Sequence, residues 1–348
     1  MSPTDYALLI APSSNRVYAA ASVKLTLAEL GVFNETVLGG ALSNFGTVKL
    51  GSVDYITFSA AELGAREIAI LSLTSSLFAL FSREGEKLQP IELARSELFD
   101  SDLLTIQKYA GKTNEIFTKL LLNVTLAASS FGAEFPPRKF SVLDPMCGRG
   151  TTLNQALMYG FDSAGVELDK KDFEAYALFI QRWVKDKRLK HEAELGHVKG
   201  QRKLHLSLAP DKAAYKAGKK LHVTCVNANT LETSQVLPPR SFDLIVTDAP
   251  YGVQHGSHGE KISRSPAELL ERALPCWLEM LRPGGALGIA WNTHLLGRAR
   301  FAELLEQSGL SVCDSAAYHG FEHVVDHAIL RDLIVATKPL NSARTSKL

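Results

Sequence analysis

Cysteine is scarce in this chain. The 348 residues include four cysteines, Cys147, Cys225, Cys276 and Cys313, and no two of them form a Cys-x-x-Cys pair. Such scattered cysteines suit a reducing compartment better than a disulfide framework. Long apolar runs are missing too: the longest, 68–81, is interrupted by serine and threonine and is too short to span a bilayer. Because the first residues also lack the basic and apolar regions of a secretory signal, we expect a cytoplasmic protein without membrane contact.

Strong net charge is also lacking. The formal net charge is +1 at pH 7, with 46% hydrophobic and 22% charged residues. These proportions are ordinary for globular proteins, and the length accommodates two domains with buried cores. A balance this close to neutral argues neither for nor against a nucleic-acid partner.

Two patterns divide the chain near residue 98. Residues 1–98 are predicted to form a smaller α+β domain, because short apolar runs alternate there with one amphipathic segment. Its predicted strands begin at Tyr6, Tyr55, Ile68 and Ser76, and a helix is predicted for 16–30. No motif in this part points to a particular chemistry.

Residues 99–348 show alternating strand and helix patterns, which predict an α/β fold with a doubly wound, mostly parallel sheet. The predicted strands begin at Ser141, Asp162, His222, Phe242 and Ala286, and the predicted helices between them begin at Thr151, Lys170 and Ser265. A ligand of such a sheet binds beyond the carboxyl ends of the strands. A last apolar strand from Ile329 has no helix after it, so we predict that it enters antiparallel.

A glycine turn follows the first of these strands, in the sequence VLDPMCGRGT over 142–151. Glycines at 148 and 150 let the backbone pass close to a ligand where a Cβ atom would collide. Asp144 places a carboxylate at the strand end, where a cationic or amino group of a ligand can lie. The alternative interpretation is a simple helix-capping turn with an incidental acid.

A second acid supports the ligand interpretation. About twenty residues after the glycines, the next predicted strand ends at Glu167. A carboxylate at this point can accept hydrogen bonds from both hydroxyls of a ribose, as in dinucleotide folds. A phosphate loop ending at Lys112 and Thr113 is excluded, because Ile106 stands in place of its first glycine and no strand precedes it.

The third motif is TDAPYG over 247–252, at the end of a predicted buried strand. An exocyclic amine of a nucleic-acid base is a weak nucleophile, because its lone pair is conjugated into the ring. Two hydrogen-bond acceptors on its N–H groups free that lone pair: here the Asp248 carboxylate and the carbonyl of Ala249, held outward by Pro250. Tyr251 offers a ring face on which a base can stack, worth roughly 1–3 kcal/mol. Positioning and electrostatics then supply most of the rate, whereas the alternative is an ordinary polar turn.

The glycine turn, DPMCGRGT over 144–151, and TDAPYG together resemble motif I and the catalytic motif of class I S-adenosylmethionine-dependent amino methyltransferases. TDAPYG is most similar to the TDPPYG form found in the tRNA guanine-10 N2-methyltransferase family, with Ala249 in place of the first proline. The segments YAGKTN at 109–114, FTKLL at 117–121 and LRPGG at 281–285 extend the resemblance over residues 101–338. The resemblance implies a Rossmann-like methyltransferase sheet in residues 99–348 and a smaller N-terminal domain that contributes to RNA binding.

The resemblance also implies S-adenosylmethionine as cofactor, with S-adenosylhomocysteine as product. The residues that would wrap the methionine part are Asp144, Pro145, Met146, Cys147, Gly148, Gly150 and Thr151. Those that would help to close over the cofactor's carboxylate are Lys112, Thr113, Asn114, Phe117 and Thr118. Glu167 and Leu168 would hold the ribose, Asn227 and Ala228 would lie beside the adenine, and Asp248 would border the donor. The family usually carries an acid where Asn227 stands.

Basic residues are concentrated between the second and third predicted strands of the sheet. Residues 182–222 contain twelve Lys or Arg and four acids, a local charge of +8 that leaves −7 for the rest of the chain. We expect a basic loop beside the cofactor site whose Lys199, Arg202 and Lys203 contact phosphates. The alternative is a solvated loop with no ligand.

Two other features resemble reactive sites but do not support one. His319, His323 and His327 recur every four residues, which would suit metal ligands on a helix, but the valines around them favour a loop or strand. No metal is therefore expected. Cys147 has no basic neighbour in sequence and is interpreted as a small residue and not as a nucleophile.

Three functions fit these observations. The first is an RNA amino methyltransferase that forms N2-methylguanine, with tRNA as its partner. The second is a DNA methyltransferase acting on adenine N6 or cytosine N4, because such enzymes use the same two motifs. The third is a cofactor-binding, RNA-associated protein without catalysis, which Ala249 and Asn227 would favour.

Overall fold

The computed structural model describes residues 3–12, 16–94, 97–109, 111–249 and 266–340. Within these ranges the chain forms a small antiparallel sheet and a large mixed sheet, with helices between and around them. The elements of the first part are β1 (Thr4–Ile10), α1 (Arg16–Thr36), β2 (Ser43–Leu50), β3 (Val53–Ala60), α2 (Ala65–Leu71), β4 (Leu77–Glu84) and β5 (Lys87–Ile91).

The small sheet has the order β2-β3-β1-β4-β5. Alternate side chains such as Tyr6, Leu8 and Phe58 point inward and join one buried cluster with α1. The strand predicted from Ile68 is wrong, because that segment belongs to α2. A short, wholly apolar run fits a buried helix as well as a strand, and here Ile70 and Leu71 are the buried residues of a single helical face.

The second part carries the large sheet. Its strands are β6 (Ser141–Asp144), β7 (Asp162–Glu167), β8 (His191–Val198), β9 (Gln201–Leu208), β10 (Leu221–Asn227), β11 (Phe242–Asp248), β12 (Leu281–Asn292), β13 (Ser311–Val312), β14 (His323–Asp326) and β15 (Ile329–Thr337). Its helices are α3 (Asp102–Thr105), α4 (Glu115–Ala128), α5 (Thr151–Met158), α6 (Lys170–Asp186), α7 (Lys212–Lys216), α8 (Thr233–Val236), α9 (Pro266–Met280) and α10 (Arg298–Gln307), with short 3-10 turns at Gly132–Glu134, Thr230–Glu232 and Ala316–His319.

The order of the large sheet is β13-β15-β12-β11-β6-β7-β10-β9-β8, with β14 paired to β15. The strands β10, β7, β6, β11 and β12 run parallel to one another, so their carboxyl ends share one edge. The last strand, β15, is antiparallel to β12, as predicted. The predicted fold class is therefore confirmed: a mostly parallel α/β sheet accompanied by a smaller antiparallel sheet.

The basic segment is not the loop that the sequence predicted. Strands β8 and β9 form a hairpin that turns at Lys199 and Gly200, whose φ angles are +49° and +84°. Positive φ at both central residues is the geometry of a tight two-residue hairpin turn. The hairpin pairs antiparallel with β10 and extends the sheet by two strands.

A buried polar network joins the two parts of the chain. The helix α4 packs on the large sheet on one side and on α1 on the other. At this contact Glu29 of α1 accepts hydrogen bonds from the Ser75 N–H and hydroxyl and, at 2.7 Å, from the Asn123 amide of α4. The Tyr159 hydroxyl donates to the Asn123 carbonyl oxygen at 2.8 Å. Burial raises the pKa of Glu29, which is fully enclosed.

Among the described residues, no helix is both long enough and apolar enough to cross a membrane.

Candidate active site

Polar residues converge at the carboxyl edge of the parallel strands. Asp144 ends β6, Glu167 ends β7, Asn227 ends β10 and Asp248 ends β11. Strands β11, β6, β7 and β10 are consecutive neighbours in the sheet, and Asn227 pairs directly with Glu167. The sheet therefore brings together residues that lie 104 positions apart in the sequence, from Asp144 to Asp248.

The two glycines of the turn after β6 differ in what surrounds them. A Cβ atom at Gly148, where φ is +52°, would meet no atom of the chain within 4 Å. A Cβ atom at Gly150 would lie 2.2 Å from the ring of Tyr176. Gly148 thus faces open space where a ligand can approach the backbone, whereas Gly150 is required by internal packing against α6.

Glu167 is held by backbone donors. Its Oε1 accepts from the N–H of Asp169 at 2.7 Å and its Oε2 from the N–H of Gly148 at 2.8 Å. Burial raises the pKa of Glu167 to about 7, and these two hydrogen bonds oppose that shift. Leu168, the next residue, is 50% exposed. The carboxylate is fixed across the glycine turn and flanked by an accessible apolar side chain.

Asp144 is almost fully enclosed, with 3% of its surface exposed. Burial raises the pKa of Asp144 to about 6, and the Met146 N–H, which donates to Oδ1 at 3.1 Å, opposes the shift. Pro145 lies between them in the turn. A buried acid at a strand end with so high a pKa is typical of a functional site, although structural networks can also produce one.

Cys147 lacks the features of a reactive thiol. Its Sγ lies 3.8 Å from Sγ of Cys225, and both side chains are buried. The contact with Cys225 and burial hold the pKa of the Cys147 thiol well above its ordinary value. A thiol that stays protonated is a poor nucleophile, which agrees with the interpretation of Cys147 as a packing residue.

Asn227 ties two strand ends together. Its amide nitrogen donates to the carbonyl of Glu167 at 2.8 Å and to that of Leu168 at 3.1 Å. The N–H of Ala228 also donates to the Glu167 carbonyl, at 3.1 Å. The role of Asn227 beside an adenine stays a prediction, and the structure adds a second role that an acid could not perform, because a carboxylate has no N–H to donate.

The segment before α4 reaches the same edge of the sheet. The Thr113 hydroxyl donates to Oδ2 of Asp248 at 2.6 Å. Asn114 caps α4 by accepting from the N–H groups of Ile116 and Phe117. Thr118 is buried, and its hydroxyl donates to the Asn114 carbonyl at 3.2 Å. Of the predicted cofactor residues in this segment, Thr113 contacts Asp248, and the side chains of Asn114 and Thr118 shape the start of the helix.

Lys112 is engaged within the protein. Its ammonium group donates to the carbonyl of Leu104 at 2.6 Å and lies 3.4 Å from the carboxylate of Glu115. Its side chain is 13% exposed. This geometry fixes the segment in front of α4 against α3.

Asp248 has a cationic neighbour that the sequence did not predict. The Arg331 guanidinium of β15 lies 3.5 Å from Oδ2 of Asp248, and the two side chains are 8% and 15% exposed. The same guanidinium lies over the ring of Phe117, 4.7 Å from its centroid. No motif marks Arg331, and β15 is antiparallel, so its first residues reach the carboxyl edge of the parallel strands.

A second group missed by sequence reasoning braces the glycine turn. The Arg149 guanidinium lies 4.6 Å from the centre of the Tyr109 ring and 2.8 Å from the carboxylate of Asp172. The Tyr109 hydroxyl is 3.5 Å from the hydroxyl of Thr151, the first residue of α5. Together these contacts hold the segment before α4 against the glycine turn.

The structure describes the first three residues, 247–249, of the TDAPYG segment. Ala249 is buried, and its N–H donates to the carbonyl of Ala290 at 2.8 Å, which fixes the end of β11 against β12. Pro250 and Tyr251 lie outside the described residues, so their predicted roles stay predictions.

The basic residues of the hairpin segment lie at both ends of its two strands. Lys199, Arg202 and Lys203 lie at or next to the turn of the hairpin, beside the carboxyl end of β10, because Lys203 pairs with Val226. Within the described residues neither Lys199 nor Lys203 forms an ion pair, whereas Arg202 pairs with Glu174 of α6.

Most of the other cations of the segment lie at the opposite end, where β8 and β10 begin. The exposed residues there without an ion pair to any described residue are Lys185, Arg188, Lys190, Lys212, Lys216 and Lys219. The expected basic loop is therefore a hairpin, and only part of its charge, including Lys199, Arg202 and Lys203, lies at the expected edge of the sheet. The hairpin runs along the whole of β10, so its basic residues lie near both ends of that strand.

The histidines near the end of the chain are separated by the fold. His319 lies in a 3-10 turn and contacts Asp314, whereas His323 is buried in β14 against Phe117. Within the part of the chain that the structure describes, no three His, Cys, Asp or Glu side chains are grouped to hold a metal ion.

Residues 121–285 match the model of a family described as RMKL-like, methyltransferase domain. The matched range contains the glycine turn, Glu167, the hairpin and Asp248. The matched range lies within the part of the chain that carries the large sheet. Among curated proteins, none matches the chain by sequence.

Several solved methyltransferases match part of the structure at low sequence identity and low TM-score. NodS, an N-methyltransferase of Bradyrhizobium japonicum, is 13% identical over 64% of this chain and 94% of its own, with a TM-score of 0.39. A TehB-like SAM-dependent methyltransferase of Corynebacterium glutamicum is 17% identical over 58% of this chain and 82% of its own, with a TM-score of 0.34. RsmC, a 16S rRNA N2 methyltransferase of T. thermophilus solved with AdoMet and guanosine, is 18% identical over 86% of this chain and 59% of its own, with a TM-score of 0.36.

Proposed function

We propose that this methyltransferase domain transfers a methyl group from S-adenosylmethionine to an exocyclic amine of a nucleic-acid base, and that the base is guanine, methylated at N2, in tRNA. The observation that carries the proposal is the juxtaposition of two halves of a site at one sheet edge. Gly148 and Glu167 offer a place for the donor, and Asp248 offers an acceptor for an amine two strands away, on β11.

The residues present fit the donor. Open space over Gly148 admits a ligand to the backbone, and Asp144 and Glu167 are acids at neighbouring strand ends. When bound, S-adenosylmethionine supplies an electrophilic methyl group on a sulfonium and leaves as S-adenosylhomocysteine. In the proposed arrangement Glu167 accepts the ribose hydroxyls, Leu168 and Ala228 border the adenine with Asn227, and Asp144 with residues 145–151 surrounds the methionine part.

In the proposed mechanism Asp248 is the main residue that binds the target amine. Its carboxylate accepts one N–H of the target amine, and the carbonyl of Ala249 accepts the other, which frees the lone pair for attack on the methyl group. The nitrogen becomes acidic as the new N–C bond forms, so its proton leaves to solvent without a strong general base. The residues accelerate the step by position and by preorganised charge. Tyr251 contributes a ring face for the base.

Two features support a nucleic-acid substrate, and the first of them favours RNA. TDAPYG is most similar to the form found in tRNA N2-guanine methyltransferases. In addition, Lys199, Arg202 and Lys203 lie at the end of the hairpin nearest the site, where they can position a phosphate backbone. We propose that residues 99–348 form the catalytic domain and that residues 1–98 contribute a further part of the RNA-binding surface.

The test is methyl transfer from isotopically labelled donor to separate pools of tRNA, rRNA and DNA, followed by nucleoside analysis of the labelled pool. The proposal expects N2-methylguanosine in the tRNA pool. Labelled N6-methyladenine or N4-methylcytosine in the DNA pool would instead show that the protein is a DNA methyltransferase. Donor binding without transfer to any pool would favour a non-catalytic RNA-associated protein.

A further inference from the structure

The environment of Asp248 depends on a residue from the last strand of the sheet. Arg331 is the third residue of β15, and β15 pairs antiparallel with β12 so that Arg331 lies opposite Asn292. Asp248 pairs with Ala290 on the other side of β12. The Arg331 side chain therefore spans β12 to reach the end of β11.

Burial makes this contact significant. Arg331 is 8% exposed and Asp248 15% exposed, so neither charge is well hydrated. A buried cation without a partner is costly, and the carboxylate at 3.5 Å supplies the opposite charge. The ring of Phe117 lies against the guanidinium at 4.7 Å and limits where it can move.

A hydroxyl donor and a cation thus act on one oxygen of the carboxylate. Thr113 donates to Oδ2 from the segment before α4, and Arg331 approaches the same atom from β15. The carboxylate is held from two directions, which fixes its plane. A second carboxylate, that of Asp144, ends the neighbouring strand β6, and a cation beside Asp248 offsets their mutual repulsion.

We propose that Arg331 is a positioning residue for methyl transfer: it holds the Asp248 carboxylate in the orientation that accepts an N–H of the target amine. This inference rests on the proposed function, in which Asp248 is that acceptor. Arg331 acts through Asp248 and supplies no group to the substrate.

The test uses single-turnover methyl transfer by the full chain to the RNA substrate, with donor affinity measured by calorimetry. Arg331→Gln should slow transfer roughly tenfold to a hundredfold, the range that removal of a coupled interaction gives, while donor affinity stays within about twofold. Arg331→Lys should recover part of the rate, because it keeps the charge. Millimolar guanidinium should restore part of the activity of Arg331→Ala.

Arg298→Gln is the matched control. Arg298 pairs with Asp332, the neighbour of Arg331 on β15, at 2.7 Å, and its side chain is 19% exposed. The substitution removes a comparable ion pair from the same strand without touching Asp248. Its transfer rate per folded molecule should equal that of the parent.

A double-mutant cycle separates positioning from stability. In the Asp248→Asn background, Arg331→Gln should cause little further loss, because the charge that Arg331 pairs with is already gone. Equal slowing of the parent and the Asp248→Asn enzyme by Arg331→Gln would overturn the inference, as would equal slowing by Arg298→Gln. If the parent itself transfers no methyl group to RNA, the proposed function is wrong. That result is distinguishable from a failure of the Arg331 inference, in which the parent is active. Should Arg331→Gln fail to fold, Arg331→Lys in the same cycle decides the question.

Discussion

At the scale of the single residue, the Asp248 carboxylate is held from two sides, because it accepts a hydrogen bond from Thr113 and faces the Arg331 guanidinium. Asp248→Ala should lower the single-turnover rate by orders of magnitude with little change in donor affinity, because the hydrogen bond that it removes matters most in the transition state. Asp248→Asn should keep partial activity, since an amide oxygen still accepts one hydrogen bond. A rate for Asp248→Ala equal to that of the parent would refute the amine-acceptor mechanism.

The glycine turn provides a matched pair of substitutions. Gly148→Ala places a methyl group in open space, so it should weaken donor binding strongly while adding only the strain of a positive φ, about 1 kcal/mol. Gly150→Ala drives its methyl group into the Tyr176 ring, so it should lower the melting temperature first. Calorimetry with the donor and thermal unfolding distinguish the two effects. Unchanged donor affinity in Gly148→Ala would remove this turn from the donor site.

The raised pKa of Glu167 has consequences of opposite sign for binding and for stability. A ribose needs the ionised carboxylate, so donor affinity should fall as the pH drops below about 7, by up to roughly tenfold per pH unit. In the donor-free protein the folded state retains the proton that the unfolded chain releases near its ordinary value of 4.5. Between pH 4.5 and 7 the contribution of Glu167 to stability therefore decreases as the pH rises.

Calorimetric titrations with donor between pH 5 and pH 9 check the binding half of this prediction. Glu167→Gln should bind donor weakly and lose the step near pH 7, whereas the step from Asp144, whose pKa is about 6, should stay. An unchanged profile in Glu167→Gln would assign the titration to another group.

At the scale of the element, the hairpin of β8 and β9 offers two sets of lysines for comparison. Lys199→Glu with Lys203→Glu should weaken RNA binding and make its salt dependence shallower by about two units of log–log slope, one for each phosphate that is no longer neutralised. Lys212→Glu with Lys216→Glu makes the same change of charge at the far end of the hairpin. Arg202 is left in place, because it pairs with Glu174.

Filter binding at several salt concentrations measures both pairs. The proposed function expects the first pair to lose more affinity than the second, with donor affinity unchanged in each. Equal losses would show that the end of the hairpin near the site has no special contact with RNA.

Elements were predictable from sequence where one face is buried and the period is clear. The helix α6 and the strands β6, β7, β10 and β11 follow such patterns. The strands β8 and β2 carry mostly exposed side chains, so their alternation gives no apolar signal. The short run at Ile68 has the opposite difficulty, because an apolar segment of this length fits a helix or a strand.

Site residues were predictable where a motif places them next to a strand end. Asp144, Glu167 and Asp248 follow strands that the sequence itself indicates, and parallel strands bring their carboxyl ends to one edge. Arg331 lies 83 residues after Asp248, near the start of an apolar strand, and its place beside Asp248 depends on pairing between β12 and β15. Such a long-range contact leaves no local pattern.

At the scale of the whole molecule, the buried network of Glu29 and Asn123 joins the two sheets. Asn123→Ala removes one hydrogen-bond donor to Glu29, the donor to the Leu73 carbonyl and the acceptor of the Tyr159 hydroxyl at once. We expect the free energy of unfolding to fall by about 3 kcal/mol, because buried polar groups lose their hydrogen bonds. Urea unfolding followed by tryptophan fluorescence measures this loss, and the tryptophans, Trp183, Trp277 and Trp291, all lie in the large unit.

Far-ultraviolet circular dichroism on the same samples reports both sheets. Because one core cluster contains side chains of both, the parent should give coincident midpoints with the two probes. Separate midpoints would show that the small sheet unfolds on its own and that the network does not couple it to the large one.

The position of β15 between β12 and β13 has a consequence for synthesis on the ribosome. Strand β12 is complete at Asn292, but its outer edge has no partner until residues 329–337 have emerged. A nascent chain stalled between these points already contains the glycine turn, yet lacks the guanidinium that faces Asp248. The exposed edge of β12 is then open to pairing with other strands, so this interval is the one in which a chaperone would be needed most.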